Sequence, residues 1–164
     1  MNDAETMAKL VHAILATGNR LIREAGRLFK PHGISAVQFN VLWLLAAAED
    51  GLRPSELTAA LVVDASSTTY VVDRMEALGW LKRRDDSADR RAWRIVLTPA
   101  GRKTYARVAA VYAAALQDVR RSLRGENPAT LAASLERMGE AAPAAADRGL
   151  QAGVGGPLKR RKTS

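Results

Sequence analysis

PSELTAALVVDASSTTYVVDRMEALGWLKRRDDSADRRAWRIVLTPAG, residues 54–101, decides how the rest of the chain is read. Pro54-Ser55-Glu56-Leu57 puts a proline and an acid in the first turn of a short helix, as the missing proline donor and the helix dipole favour. Leu57, Ala60, Leu61 and Val62 form its inner edge. Asp64 is placed to cap a second helix by accepting an orphaned backbone N–H. Thr68, Val71, Val72, Met75 and Leu78 recur at helical spacing as its packed face, and Gly79 ends it. Trp80–Arg84 and Ala92–Leu97 then flank a loop of arginine and aspartate and read as a hairpin. Helix, turn, helix, hairpin is the order of a winged helix-turn-helix, which offers one helix to the DNA major groove and its hairpin to the groove beside it.

The face of the second helix opposite its packed side carries Ser66, Ser67, Thr69, Tyr70, Asp73 and Arg74. Short hydroxyls near a helix start suit phosphate oxygens and base edges, and Tyr70 and Arg74 reach further along a groove. On an arbitrary helix, capping and solvation would explain them as well; the neighbouring helix and basic hairpin favour DNA contact. Residues 82 to 94 hold six cations, Lys82, Arg83, Arg84, Arg90, Arg91 and Arg94, against three anions, Asp85, Asp86 and Asp89. A hairpin so rich in arginine suits the narrow minor groove. The alternation of Asp and Arg implies that one arginine is held by an aspartate while another stays free.

Outward from this stretch the chain is helical. From Met7 the stripe positions step by four and three through Val11, Ile14, Gly18, Leu21, Ala25 and Leu28, giving a broad face that ends at Pro31 and Gly33. The helix is longer than a small domain needs for its own core, so part of the stripe is expected to face another subunit. Ser35 with Gln38 makes a capping box for the next helix, which is apolar almost all round and is expected to be sandwiched, Phe39 and Trp43 included. Beyond the hairpin, Thr98 and Pro99 restart helix to about Leu123; Gly125 and Pro128 break it, and Leu131, Leu135 and Met138 mark one more. Past Pro143 the pattern dissolves into alanine, glycine and proline, with a disordered basic tail expected from Gly149. The fold class is mainly α with a small β-hairpin wing.

Composition narrows the function. The formal net charge of +8 favours polyanionic partners, nucleic acid above all. With no cysteine, disulfides, thiolate metal sites and thiol nucleophiles are excluded. Two histidines, His12 on the first helix and His32 in the turn after it, make neither a catalytic triad nor a metal set, so no enzyme, metal or cofactor is expected. The N-terminus has no signal-peptide pattern, and the longest apolar run, Val108 to Leu116, is far short of the roughly 20 residues a bilayer span needs. A cytoplasmic protein without membrane contact is expected.

Asp89-Arg90-Arg91, followed after five residues by Leu97-Thr98 and then Gly101, resembles the wing signature of the MarR family; Val72-Asp73-Arg74-Met75-Glu76 with Gly79 resembles the end of that family's recognition helix. The resemblance spans roughly residues 5 to 142. It implies a homodimeric transcription regulator, usually a repressor, on pseudo-palindromic promoter DNA. The implied organisation is an N-terminal dimerisation helix (1–33), the winged module (34–101), C-terminal dimerisation helices (102–142) and a basic tail (143–164). The expected contacts with double-stranded DNA are Ser66, Ser67, Thr69, Tyr70, Arg74, Arg84, Arg90 and Arg91. A salt bridge between Asp89 and Arg91 is expected to shape the wing, leaving Arg90 nearer the minor groove. Many relatives respond to a small aromatic or phenolic effector in a crevice beside the winged module. His12, His32, Phe39 and Trp43 are the candidates here, against a plainer place for each in core or surface. The competing reading is an architectural protein that coats DNA by charge without sequence preference.

Overall fold

The computed structural model describes residues 2–61, 65–86, 89 and 92–151, and for 65, 66 and 149–151 the backbone only. The element order is α1 (Asp3–Phe29), a 3-10 turn (Lys30–His32), α2 (Ala36–Ala47), α3 (Pro54–Ala60), α4 (Ala65–Ala77), β1 (Leu81–Asp85), β2 (Trp93–Leu97), α5 (Pro99–Ser122) and α6 (Pro128–Gln151). The chain forms two compact units, Met1–Ala115 and Leu116–Ser164.

The helix starts follow from local chemistry. Asn2 accepts the backbone N–H of Ala4, so α1 begins four residues before the apolar stripe that announces it. Ser35 Oγ accepts the Gln38 N–H at 3.2 Å while Gln38 Oε1 accepts the Ser35 N–H at 2.9 Å, the expected reciprocal box. Gly79 ends α4 in the left-handed region, φ 71°, and lets Trp80 N–H reach back to Met75 O at 3.0 Å.

The wing is antiparallel, with Leu81 opposite Leu97 and Asp85 opposite Trp93. Leu52, in the α2–α3 connection, adds a third rung by exchanging backbone hydrogen bonds with Ile95. The hairpin is thereby stitched to the chain that precedes α3. Thr98 Oγ1 donates to Gly79 O at 2.6 Å and accepts the Gly101 N–H at 3.1 Å, tying the start of α5 to the end of α4. A Cβ on Gly101 would stand 2.1 Å from the Trp80 carbonyl oxygen, so only glycine lets these segments close.

The core of the first unit gathers Phe29, Leu42, Leu45, Leu57, Met75, Ile95, Leu97 and Val108. Phe29 and Phe39 rings lie 4.4 Å apart, and Tyr112 of α5 closes on them at 5.6 and 5.0 Å. Offset and edge-on aromatic pairs of this kind add to the area they bury. They anchor the end of α1 and the first turn of α2 on α5.

Three expectations are corrected. Leu78 is not part of the packed face of α4; half of it is exposed, because the face closes with Met75 and the helix ends two residues later. Trp43 is 53% exposed, so α2 is not enclosed by this chain on every side. Helix α6 does not stop at Pro143 but runs to Gln151. Alanine, read as loss of pattern, is the strongest helix former. Residues 152–164, most of the expected tail, lie outside the described residues, as does the expected cap Asp64.

Candidate nucleic-acid interface

Helix α4 is amphipathic: Thr68, Val72 and Met75 are buried, and Thr69, Tyr70, Asp73 and Arg74 turn outward. Tyr70 is 65% exposed, and Arg74 Nη1 lies 3.5 Å from its hydroxyl, so the two long side chains run together along the helix. Ser67 is half-buried at the base of this face. The Ser66 side chain, Arg90 and Arg91 lie outside the described residues, and with them the expected Asp89–Arg91 pair.

Of the described wing cations, Arg83, Arg84 and Arg94 are bound into the fold. Arg84 Nη2 donates to the Asp50 carbonyl at 2.9 Å, with the Asp50 carboxylate 3.6 Å away, so the side chain reaches back to the α2–α3 turn while staying half-exposed. Arg83 crosses to α4, where Nη2 donates to Asp73 Oδ1 at 2.5 Å and Nη1 donates to Glu76. Its guanidinium sits 4.7 Å from the centre of the Trp93 ring. Asp89 is exposed, and its carbonyl accepts the Ala92 N–H at 2.9 Å, closing the tip.

Sequence reasoning missed the residue that orders the wing. Asp86 follows β1 directly and its side chain is 1% exposed. Its Oδ2 accepts from Arg53 Nε at 2.8 Å and from Arg94 Nε at 3.1 Å. Arg94 Nη1 donates to the Gly51 carbonyl at 3.0 Å, and Arg53 N–H donates to Glu56 at 2.7 Å. Two carboxylates and two guanidinium groups thus form one balanced cluster joining the start of α3 to both wing strands. The hydrogen bond that Arg53 donates to Asp86, and after it the Asp86 charge, raises the Arg53 pKa above the ordinary arginine value. A wing with three aspartates gives no sign of which one will be buried; the spacing from Arg53 becomes meaningful only once Leu52 pairs with Ile95.

Behind α4 a hollow of about 680 Å³ is lined by Lys30, Ser35, Gln38, Tyr70, Arg74 and Trp80 among others. The predicted ligand residues are not brought together there. Phe39 is in the aromatic core, Trp43 and His12 are exposed on their helices, and His32 is half-buried in the 3-10 turn. The hollow is invisible in sequence because its walls come from two stretches far apart in the chain, 26–38 and 70–80, whose own signals are capping and helix termination.

A short helix, a turn, an amphipathic second helix and a two-stranded wing define a winged helix-turn-helix protein. The MarR family model matches residues 32–92. The chain is 31% identical over 100 residues to the multiple antibiotic resistance protein MarR of Escherichia coli (strain K12), covering 61% of this chain and 67% of that protein. It is 32% identical over 84 residues to the transcriptional repressor MprA of the same strain, covering 51% of this chain and 48% of MprA, so it spans about half that relative's length. In structure it superposes on the transcriptional regulator BldR from Sulfolobus solfataricus with a TM-score of 0.71 and 26% identity over 84% of this chain and 97% of that one. On an E. coli MarR mutant complexed with operator DNA the TM-score is 0.64 with 25% identity, over 84% and 99% of the two chains. The chain belongs to the MarR family of winged-helix transcription regulators. The matched relatives are themselves named as transcription regulators.

Proposed function

We propose that this chain is a homodimeric repressor that binds pseudo-palindromic promoter DNA in the cytoplasm, with α4 in the major groove and the wing against the neighbouring backbone. The observation that carries the reading is the outward face of α4, where Thr69, Tyr70 and Arg74 stand exposed on a helix whose other side is locked in the core. Base edges would be read from this face together with Ser66 and Ser67, while Arg84, Arg90 and Arg91 supply phosphate contacts and counterion release. The operator-bound MarR structure superposes over nearly its whole length, which supports the same docking here. Two such modules on a twofold axis meet half-sites about 34–36 Å apart. Among the described residues, no helix is long and apolar enough to cross a membrane.

Dimerisation is supported by α1, a 27-residue helix in which Phe29 alone is buried. Met7, Leu10, Val11, Leu15, Leu21 and Ile22 are each at least 43% exposed. An apolar stripe of this length calls for a partner surface. The chemistry of the hollow supports an effector that is a small aromatic or phenolic anion, since Lys30 and Arg74 offer charge beside the Trp80 and Tyr70 rings. A ligand there would touch Tyr70, Val71 and Arg74 of the reading helix, so it would favour one spacing of the two α4 helices over another.

Arg74→Ala is expected to weaken operator binding about tenfold while leaving the melting temperature unchanged, since the side chain is exposed and a single groove contact of this kind contributes about 1–3 kcal/mol. Anisotropy titration at fixed salt reads the affinity, and unchanged binding refutes the docking of α4. Competition with random DNA separates a regulator from a charge-driven coater: a regulator retains its operator complex with a preference of roughly 10³ or more. A thermal-shift series of aromatic acids tests the hollow, with a raised melting temperature and loosened operator binding expected together. An effect no different in a Lys30→Ala variant places the ligand elsewhere.

A further inference from the structure

Arg83 belongs to the wing by sequence and to the reading helix by its bonds. As it stands in the sequence, α4 carries Asp73 and Glu76 against Arg74 and so has one more negative than positive charge. Asp73 is more than half exposed and lies three residues after Tyr70 and four after Thr69, on the same outward face. A carboxylate there meets DNA phosphates as the helix enters a groove, and like charges brought together with water displaced repel strongly. A helix that reads a polyanion from this face needs that charge cancelled.

We propose that Arg83 is a positioning residue that masks the carboxylates of the reading helix and does not itself contact DNA; this rests on the docking of α4 proposed above. Both terminal nitrogens are committed, Nη2 to Asp73 at 2.5 Å and Nη1 to Glu76. The planar group is seated near the Trp93 ring across the hairpin, with its carbon 4.7 Å from the ring centre. Two carboxylates and an aromatic face fix a guanidinium in one orientation, which a lysine ammonium would not reproduce. The wing thus serves the reading helix twice: it offers its own cations to the backbone, and through Arg83 it removes the repulsion that would keep α4 out of the groove.

The test is a rescue cycle on the full chain, with a duplex that the wild-type chain itself selects from a random-sequence pool. Arg83→Ala, the pair Asp73→Asn with Glu76→Gln, and the triple variant are titrated by anisotropy at several salt concentrations, with a thermal melt of each. Masking predicts that Arg83→Ala weakens binding by about tenfold or more, because two uncovered carboxylates now oppose the phosphates. It predicts that neutralising those carboxylates restores the triple variant to within about threefold of wild type, a large non-additivity between the sites. A direct phosphate contact predicts instead that the loss persists in the triple variant and that the salt slope falls by about one. A purely structural brace predicts that the triple variant stays weak and melts low. Either of those results overturns the proposal. Should Arg83→Ala fail to fold, Arg83→Gln, which removes the charge but keeps a hydrogen-bonding arm, carries the same cycle. The Arg74→Ala control separates the two levels: if it binds like wild type, the docking of α4 is wrong whatever Arg83 does.

Discussion

Asp86→Ala lowers the stability of the winged module by about 2–3 kcal/mol. The reasoning is electrostatic. Removing one partner of a buried ion pair generally costs about 3–5 kcal/mol because the other charge is left desolvated and unpaired. Here the orphaned groups are Arg53 and Arg94, whose side chains are 37% and 24% exposed, so water reaches them and the cost falls below that range. It does not vanish, because both guanidinium groups pointed at one oxygen, and Glu56 and Asp89 replace it only in part. For a chain of this size the loss corresponds to a melting temperature lower by very roughly 5–10 °C. Asp86→Asn keeps the shape and one acceptor but not the charge, and is expected to fall between wild type and alanine. Chemical denaturation followed by tryptophan emission measures both; a loss under about 0.5 kcal/mol for alanine, within the range of ordinary surface substitutions, would sink the idea that this cluster holds the wing.

The cluster also has a functional side. Arg53 opens α3, Asp86 follows β1, and Arg94 lies in β2, so one carboxylate fixes the angle between the helix-turn-helix and its hairpin. Loosening that angle separates two surfaces that must meet the same duplex. A stability loss in Asp86→Ala should therefore come with weaker operator binding at temperatures where the protein remains folded.

The sequence displays those parts of the molecule that are set by short-range chemistry. Ser35 with Gln38, Pro54, Gly79, Thr98 with Pro99, and the branched and aromatic run Trp93–Leu97 each act within a few residues, and the elements begin and end where those signals stand. The signature Leu97-Thr98 with Gly101 has a cause of longer reach: a buried leucine, a hydroxyl bonded to the end of α4, and a position where any Cβ strikes the Trp80 carbonyl. What the sequence conceals depends on distant partners. Six wing cations look alike in one dimension, yet Arg94 is half-buried on Asp86, Arg83 is clamped on α4, and Arg84 reaches the Asp50 carbonyl. The hollow beside α4 likewise appears only when the end of α1, the start of α2 and α4 come together. Charge counts identify the class of partner, and tertiary placement decides which cations remain to meet it.

The largest effect on DNA binding is expected far from α4, from Leu15→Lys combined with Ile22→Lys on α1. These side chains are 62% and 52% exposed and stand seven residues apart, two turns along one face. If that face is the dimer seam, two like charges in each copy meet two more from the partner in a desolvated interface, which disfavours association by several kcal/mol. The monomer keeps an intact winged module, because Phe29 is the only buried residue of α1 and neither substitution touches it. A monomer engages one half-site at a time. It loses the high local concentration that delivers the second module once the first is bound, a factor of about 10²–10⁴ in overall affinity. Sedimentation should show half the mass, the melt of the winged module should be little changed, and operator affinity should fall by about 10² or more while binding to an isolated half-site is kept. A double-lysine variant that remains dimeric and holds its operator as tightly as wild type would mean that the exposed stripe of α1 is not the seam.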